Sequence, residues 1–537
     1  MYTGKQIHRY AGIRNTRFAV FVFILYLSSF ILSSCGTPAP AALTPPFSAP
    51  FVLGTRDPNT LPTPTATVTA TETLTLTPTA PPTATLTATL PPDLTSGPSP
   101  TGSADPPLAI ARPQYTIYAT IDYDGHTAAV DEGIVYPNQT GVTLNELVLA
   151  VEPMLYNDAF HMTSLFINGF ETTNYVLDTH RLTVPLPQPL PPGTQVTLTI
   201  QYDLNIPFKQ KANTFGWLSY QTSLTEWYPF VVPYDAASGW ILHDYWAFGE
   251  HLVYDSSDFD VNIRFTDPSN PPIIAAPAPA EANGEWTRFR LYGARAFVLS
   301  MSREFLYSES AVGPVIIRSY YFSGHEAAGE KVLYVAKQAV AIYEAKFAPY
   351  PYQTLSVVEL NYNDGQEYDG LAFLADSFYA QYDGGAQNNL ATIGVHEIAH
   401  NWWFGLVGSD QALEPWLDEA MALYSEHIFY EFNYPYLVDW WWQFRVNYFG
   451  PSGWVDTTIY NGGTFRAYTN AVYLNGGTFI DDIRVRIGDE DFFRFLKAYA
   501  GQMSYRRATA ADFFAILRQS TSKDVSDLIS AYFANLH

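Results

Sequence analysis

Hydrophobic and polar positions alternate with two different periods along this chain, and the change of period divides it. From about Leu108 to Gly313, apolar residues recur at every second position in TIYATIDYD (116–124), VTLTIQYDLNI (196–206), FDVNIRFTD (259–267) and TRFRLYG (287–293). Such alternation turns one face of a strand to a core and the other to water. Pro- and Gly-rich turns such as PLPPGT separate the runs, and no long helical pattern intervenes. The pattern predicts an N-terminal antiparallel all-β domain over residues 107–312.

Beyond Gly313 the period lengthens. In EAAGEKVLYVAKQAVAIYEAKF (326–347), Val332, Val335, Ala336, Ala339, Val340 and Tyr343 fall on one helical face. Two strand-like runs follow, LSVVELNY and GLAFLADSFY. The remainder is mostly helical and includes DEDFFRFLKAYAG, acidic in its first turn and with Gly501 as its expected stop. Residues 313–537 are therefore read as an α+β domain of a multidomain chain.

Two further segments precede the strands. Residues 1–35 open with Lys5, Arg9, Arg14 and Arg17 and no acids, continue into the apolar run Phe18–Leu32, and end in SSCG. A positive start, a short apolar core and small residues make a secretory signal. The run has 15 residues, short of the ~20 that cross a bilayer. LSSC resembles the bacterial lipobox, which makes Cys35 a lipidated first residue of the mature protein and its membrane anchor. An uncleaved signal anchor with an incidental cysteine is the alternative. Residues 36–106 are dominated by Thr, Pro and Ala and are expected to form a disordered tether, ~200 Å long if extended, or a dispensable low-complexity tract.

Charge narrows the function. The formal net charge of −24 argues against nucleic acid, which calls for clustered Lys and Arg. Cys35 is the one cysteine, so no intramolecular disulfide and no cysteine-based zinc site can form.

GVHEIAHNWWFG (394–405) carries the chemistry. His396 and His400 are four apart and share a helical face, so both imidazoles can reach one ion while Glu397 leans over it. A core helix with two satisfied histidines is the competing reading. A catalytic zinc takes three protein ligands and an open position, so the pair calls for a third ligand elsewhere. Downstream, WLDEAMALYSEHIFYEF offers Glu419 and Glu426.

HEIAH, eighteen residues, then Glu419 resembles the HExxH-x18-E signature of the gluzin zinc peptidases, nearest to the membrane alanyl aminopeptidase / leukotriene A4 hydrolase family. WYPFVVPYD, FAPYPY and VYLNGGTFIDDIRVRIGDEDFF agree in order, so the resemblance spans most of residues 108–537. It implies a thermolysin-like catalytic domain with one zinc per chain on His396, His400 and Glu419, Glu397 as general base, and peptide substrates. The family's YxKGA tyrosine, which stabilises the oxyanion, corresponds to Tyr473 in VYLNGG, with Asn475 and Gly477 in place of its lysine and alanine. The family's GAMENWGL segment corresponds to DGQEYDGL (364–371), which makes Glu367 the group that binds the substrate's α-ammonium; a solvated loop acid is the alternative. Gln221 or Glu226 is a candidate second contact from the β domain. Glu426 fits either an acid orienting a histidine ligand or an exposed helix acid. Asp418 replaces the family's asparagine, adding a negative charge near the metal, and DWWWQF (439–444) is core or a pocket wall. No C-terminal helical repeat domain is expected, and the site is expected to be more open. The resemblance implies an extracytoplasmic, lipid-anchored zinc aminopeptidase. The alternatives are a zinc endopeptidase or other zinc hydrolase on the same scaffold, and a non-catalytic surface binding protein.

Overall fold

The computed structural model describes residues 111–535; the expected signal with Cys35 and the segment 36–106 lie outside the described residues. Strands come first: β1 (Gln114–Asp122), β2 (Thr127–Pro137), β3 (Leu144–Ala150), β4 (Phe160–Ile167), β5 (Phe170–Glu171), β6 (Arg181–Leu190), β7 (Gln195–Asn205), β8 (Ser257–Phe265), β9 (Ala280–Asn283) and β10 (Trp286–Ala294). Eight of them form one sheet in the order β9-β10-β8-β1-β2-β7-β4-β5, while β3 and β6 pair in a second. The alternation read from sequence is what buries Ile117, Ala119 and Ile121 of β1 against the core, with Leu198, Ile200 and Leu204 of β7.

One pair departs from the antiparallel expectation. β1 and β8 run parallel, Gln114 opposite Asp258 through Ile121 opposite Phe265. The 51-residue excursion between β7 and β8, residues 206–256, lets the chain return to the starting end of β1, as a parallel neighbour requires.

The inward row of β2 also carries an acid. Glu132 is fully buried among Val130 and Ile134, and neither carboxylate oxygen has a hydrogen-bond partner among the described residues. Burial pushes its pKa well above the ordinary carboxyl value. The folded chain therefore holds this proton to higher pH than the unfolded one does. The stability this contributes is full below the unfolded pKa and is lost as pH rises through the folded pKa. Glu132→Gln is expected to raise the unfolding midpoint by about 2–4 °C at pH 8 and by less at pH 5. Equal shifts at both pH values would contradict this account.

The second half is built on a five-stranded sheet. Its strands are β11 (Leu306–Val312), β12 (Val315–Tyr321), β13 (Thr354–Leu360), β14 (Gly365–Tyr368) and β15 (Leu371–Ala375), in the order β11-β12-β13-β15-β14. β11 and β12 are a hairpin through Gly313, so a division at 312/313 cuts paired strands, and the change of sheet comes before Leu306. The run GLAFLADSFY also divides: β15 ends at Ala375 and Asp376–Ala380 is helical.

Helix α1 (Glu326–Lys346) buries the face expected of it, and its Tyr343 hydroxyl reaches the backbone carbonyls of Val395 (3.3 Å) and Ser425 (2.9 Å). Those carbonyls belong to α2 (Asn389–Ala399) and α3 (Trp416–Asn433), so one phenol registers three helices. Later come α4 (Gly476–Ile487) and α5 (Asp489–Gln502). α5 ends at Gln502, one residue past the expected stop at Gly501.

Candidate metal centre

Helix α2 starts at Asn388, whose side chain accepts from the Ala391 N–H, and ends at His400, still in helical conformation. That keeps His396, Glu397 and His400 within one turn. α3 packs alongside and presents Asp418 and Glu419 in its first turn. His396 Nε2 lies 3.2 Å from Glu419 Oε2, and His400 Nε2 lies 3.5 Å from the same oxygen. One donor atom from each of the three falls within 4.8 Å of the others; Glu367, Glu397 and His400 meet the same test.

The far sides of the imidazoles decide between these groups. His396 Nδ1 donates to Glu426 (2.8 Å), and His400 Nδ1 donates to Asp418 (2.6 Å). With both Nδ1 atoms anchored, each Nε2 faces the Glu419 carboxylate, a place that a proton on the imidazole or a metal cation can fill. Burial opposes charge on His396, yet hydrogen bonds with Glu419 and Glu426 outweigh it and push the imidazole up to about 9. Glu419 is held below the ordinary carboxylate range: burial would raise it, but hydrogen bonds from both histidines prevail. Two imidazoles and a carboxylate facing one point fit zinc.

Glu426 is thus no surface acid. It is fully buried, receives both Arg445 Nε (2.9 Å) and Nη2 (2.8 Å), and accepts the Trp441 indole N–H (2.9 Å). Trp441, from the DWWWQF run, is core that holds the acid orienting His396. Asp418 also accepts from Gln411 Nε2 (2.6 Å).

Glu397 is buried, and its Oε2 has no partner among the described residues. Burial raises its pKa well above the ordinary value against the pull of His396, which favours accepting a proton. It faces edge strand β14 at Gly365, where a Cβ would overlap the carboxylate. Gly365→Ala is expected to keep the fold, because a flexible carboxylate can give way, and to cut kcat by about 10- to 100-fold by displacing it. Wild-type turnover in a folded G365A protein would contradict this.

Glu367, also on β14, is buried and not solvated; it accepts from Gln366 Nε2 (2.8 Å), and burial pushes its pKa up to about 7. Of the two candidate contacts from the first half, Gln221 donates its Nε2 to Ser300 (3.1 Å) and the Glu359 carbonyl (2.9 Å), while its buried Oε1 has no hydrogen-bond partner among the described residues. Glu226 faces the site: it accepts from the Tyr368 hydroxyl (3.3 Å), takes a left-handed φ of 45°, and burial lifts its pKa to about 7. Tyr473 stacks on His396, with ring centroids 6.1 Å apart, and its phenol is raised by burial and then by Glu419.

Two neighbours escaped the sequence reading. Glu250 arrives on the irregular segment before β8, and one of its carboxylate oxygens lies within 4.8 Å of donors on Glu367 and Glu419. Preceding it, Gly249 (φ +71°) packs on Tyr468 where a side chain would collide with Ile459 and the Tyr468 hydroxyl. Tyr468 is buried beside Tyr473, its hydroxyl without a partner among the described residues. Glu250 lies in an irregular segment and Tyr468 in a short helix (Phe465–Thr469), and neither belongs to a spaced motif.

Comparison with known proteins places these features. Residues 332–532 match the model of the Peptidase family M1 domain. Aminopeptidase M1-B of Oryza sativa subsp. japonica is 25% identical over 234 residues, covering 40% of this chain and 26% of that protein. Probable aminopeptidase 2 of Sulfurisphaera tokodaii is 23% identical over 229 residues, covering 38% and 28%. The matched stretch thus spans about a quarter of the length of these curated relatives. Among solved structures, the M1 zinc metallopeptidase of Deinococcus radiodurans superposes with a TM-score of 0.57 at 16% identity, covering 79% of this chain and 93% of that one. A mutant of it bound to a Tyr-Ser-Ala substrate superposes with the same TM-score and covers 95% of that chain. The chain therefore carries a match to the peptidase family M1 domain over residues 332–532, within a β-rich first part and a helical second part that together share the two-domain M1 peptidase fold.

Proposed function

We propose that this protein is a zinc-dependent aminopeptidase that removes N-terminal residues from peptides. The carrying observation is the convergence of His396 Nε2, His400 Nε2 and Glu419 on one point, with both Nδ1 atoms anchored and the unpartnered Glu397 carboxylate beside them. His396, His400 and Glu419 would hold a zinc ion, which when bound would acidify a water and polarise a scissile carbonyl. Glu397 takes a proton from that water and delivers it to the leaving amine. The Tyr473 phenol donates to the oxygen that gains charge as the carbonyl is attacked. β14 is an edge strand, so its outer backbone groups can pair with an extended peptide. Glu367 then meets the α-ammonium, which sets the cut one residue from the N-terminus.

The thermolysin-like character of residues 313–537 is supported by the paired helices α2 and α3 beside a sheet whose edge carries Glu367. Lipid anchoring through Cys35, outside the cytoplasm, rests on the sequence of residues 1–35.

Matched peptides with free and acetylated N-termini test the reading on the zinc-loaded chain, with and without chelator. Cleavage of the free peptide alone, abolished by chelator, is the expected result. Glu367→Gln is expected to lower kcat/KM for the free peptide by about 10²-fold, as losing one partner of a buried charge pair does. Equal cleavage of both peptides would replace the aminopeptidase by an endopeptidase.

A further inference from the structure

Imidazole and carboxylate also converge in the β-rich part, on residues that the proposed catalysis does not use. Glu152 opens a short 3-10 helix (Glu152–Leu155) just after β3. His180 lies in the turn before β6, and His251 on the segment leading into β8. Glu152 Oε1 is 2.6 Å from His180 Nδ1, and Oε2 is 3.2 Å from His251 Nε2. One donor atom of each lies within 4.8 Å of the other two, and the side chains are 8%, 8% and 11% exposed. We propose that Glu152, His180 and His251 bind a second zinc ion.

Three features support the assignment. The donor set, two imidazoles and one carboxylate, is the type that zinc takes. The frame is preorganised: β3 and β6 pair with Ala150 opposite Arg181, and the Val151 N–H donates to the His180 carbonyl (2.8 Å), so two ligands sit on one ladder. The 3.2 Å separation at His251 equals the shorter one of the His396–His400–Glu419 cluster, while the 2.6 Å contact at His180 is a direct hydrogen bond that an ion would have to open. Zinc bonds of about 2.0–2.2 Å need only a small opening at His180.

Charge points the same way. No lysine or arginine pairs with Glu152 among the described residues; the histidines are its only ion-pair partners there. Glu226, likewise without a cationic partner there, is close enough to feel its charge. A divalent ion at Glu152 would supply the fixed positive charge that neither carboxylate finds among the described residues. Such an ion would also tie three segments together. His251 follows Glu250 directly, so it would fix the stretch that carries Glu250 into the catalytic cluster.

Metal content decides the matter, with zinc alone as the probe. The untagged full-length chain is saturated with zinc, desalted and assayed for ions per chain. About two are expected in the wild type, about one in His180→Gln/His251→Gln, and about one in His400→Ala. The wild-type value stands whether or not a variant folds. A single wild-type ion that disappears in H400A and persists in the double variant overturns the proposal. A single ion with the opposite dependence upholds it and instead refutes the catalytic-zinc reading.

Discussion

Glu397→Gln is expected to lower kcat and kcat/KM together, by about 10³-fold, with metal content unchanged. The substitution is nearly isosteric at a site that is 5% exposed, so the packing of α2 against α3 and β14 survives. What it removes is a proton acceptor. In the wild type, Glu397 Oε2 is buried without a hydrogen-bond partner among the described residues, an open acceptor beside the histidines. An amide in the same place cannot take a proton. Glu397 lies outside the His396, His400 and Glu419 donor set, so zinc binding is untouched. The variant therefore separates chemistry from metal binding: zinc analysis should match the wild type while peptide hydrolysis nearly vanishes. Retention of more than about a tenth of wild-type kcat would remove Glu397 from the role of base.

Glu419→Gln is expected to remove one zinc equivalent per chain and to reduce hydrolysis by at least about 10³-fold. Glu419 Oε2 is the oxygen that both imidazoles approach, at 3.2 and 3.5 Å. It is also the anion that makes the point between them favourable for a cation. Glutamine keeps the volume but withdraws the charge, and its amide N–H can donate to the Nε2 lone pairs, closing the site as a neutral hydrogen-bonded network. The residue is 3% exposed, so water cannot stand in for the lost ligand easily. Metal content and activity should fall together, and circular dichroism should confirm that the fold remains. A variant that kept its full zinc content would show that the ion sits elsewhere, with the overlapping group of Glu367, Glu397 and His400 as the first place to look.

Much of this chain could be read in one dimension because the relevant chemistry is local. His396, Glu397 and His400 share a face through helical geometry alone, and a fixed interval places Glu419 on the following helix. The strands of the first half and the buried face of α1 announce themselves through periods of 2 and 3.6, because each element must bury one side whatever its partner is. Local pattern misled where local and tertiary preferences differ: GLAFLADSFY is strand-like throughout, yet it divides at Ala375.

Tertiary structure alone decided which polar groups surround the site. Glu250 and Glu226 come from the first half of the chain, over a hundred residues before α2, and no periodicity marks them. Whether Glu426 was a surface acid or a buried support depended on Arg445 and Trp441 folding over it. Glu152, His180 and His251 are brought together by strand pairing, not by any interval in sequence. Spacing along a helix or strand is set by backbone geometry and is written in the chain. The meeting of distant side chains, and the charge each then carries, follows from which surfaces are driven out of water together, and that exists only in the folded molecule.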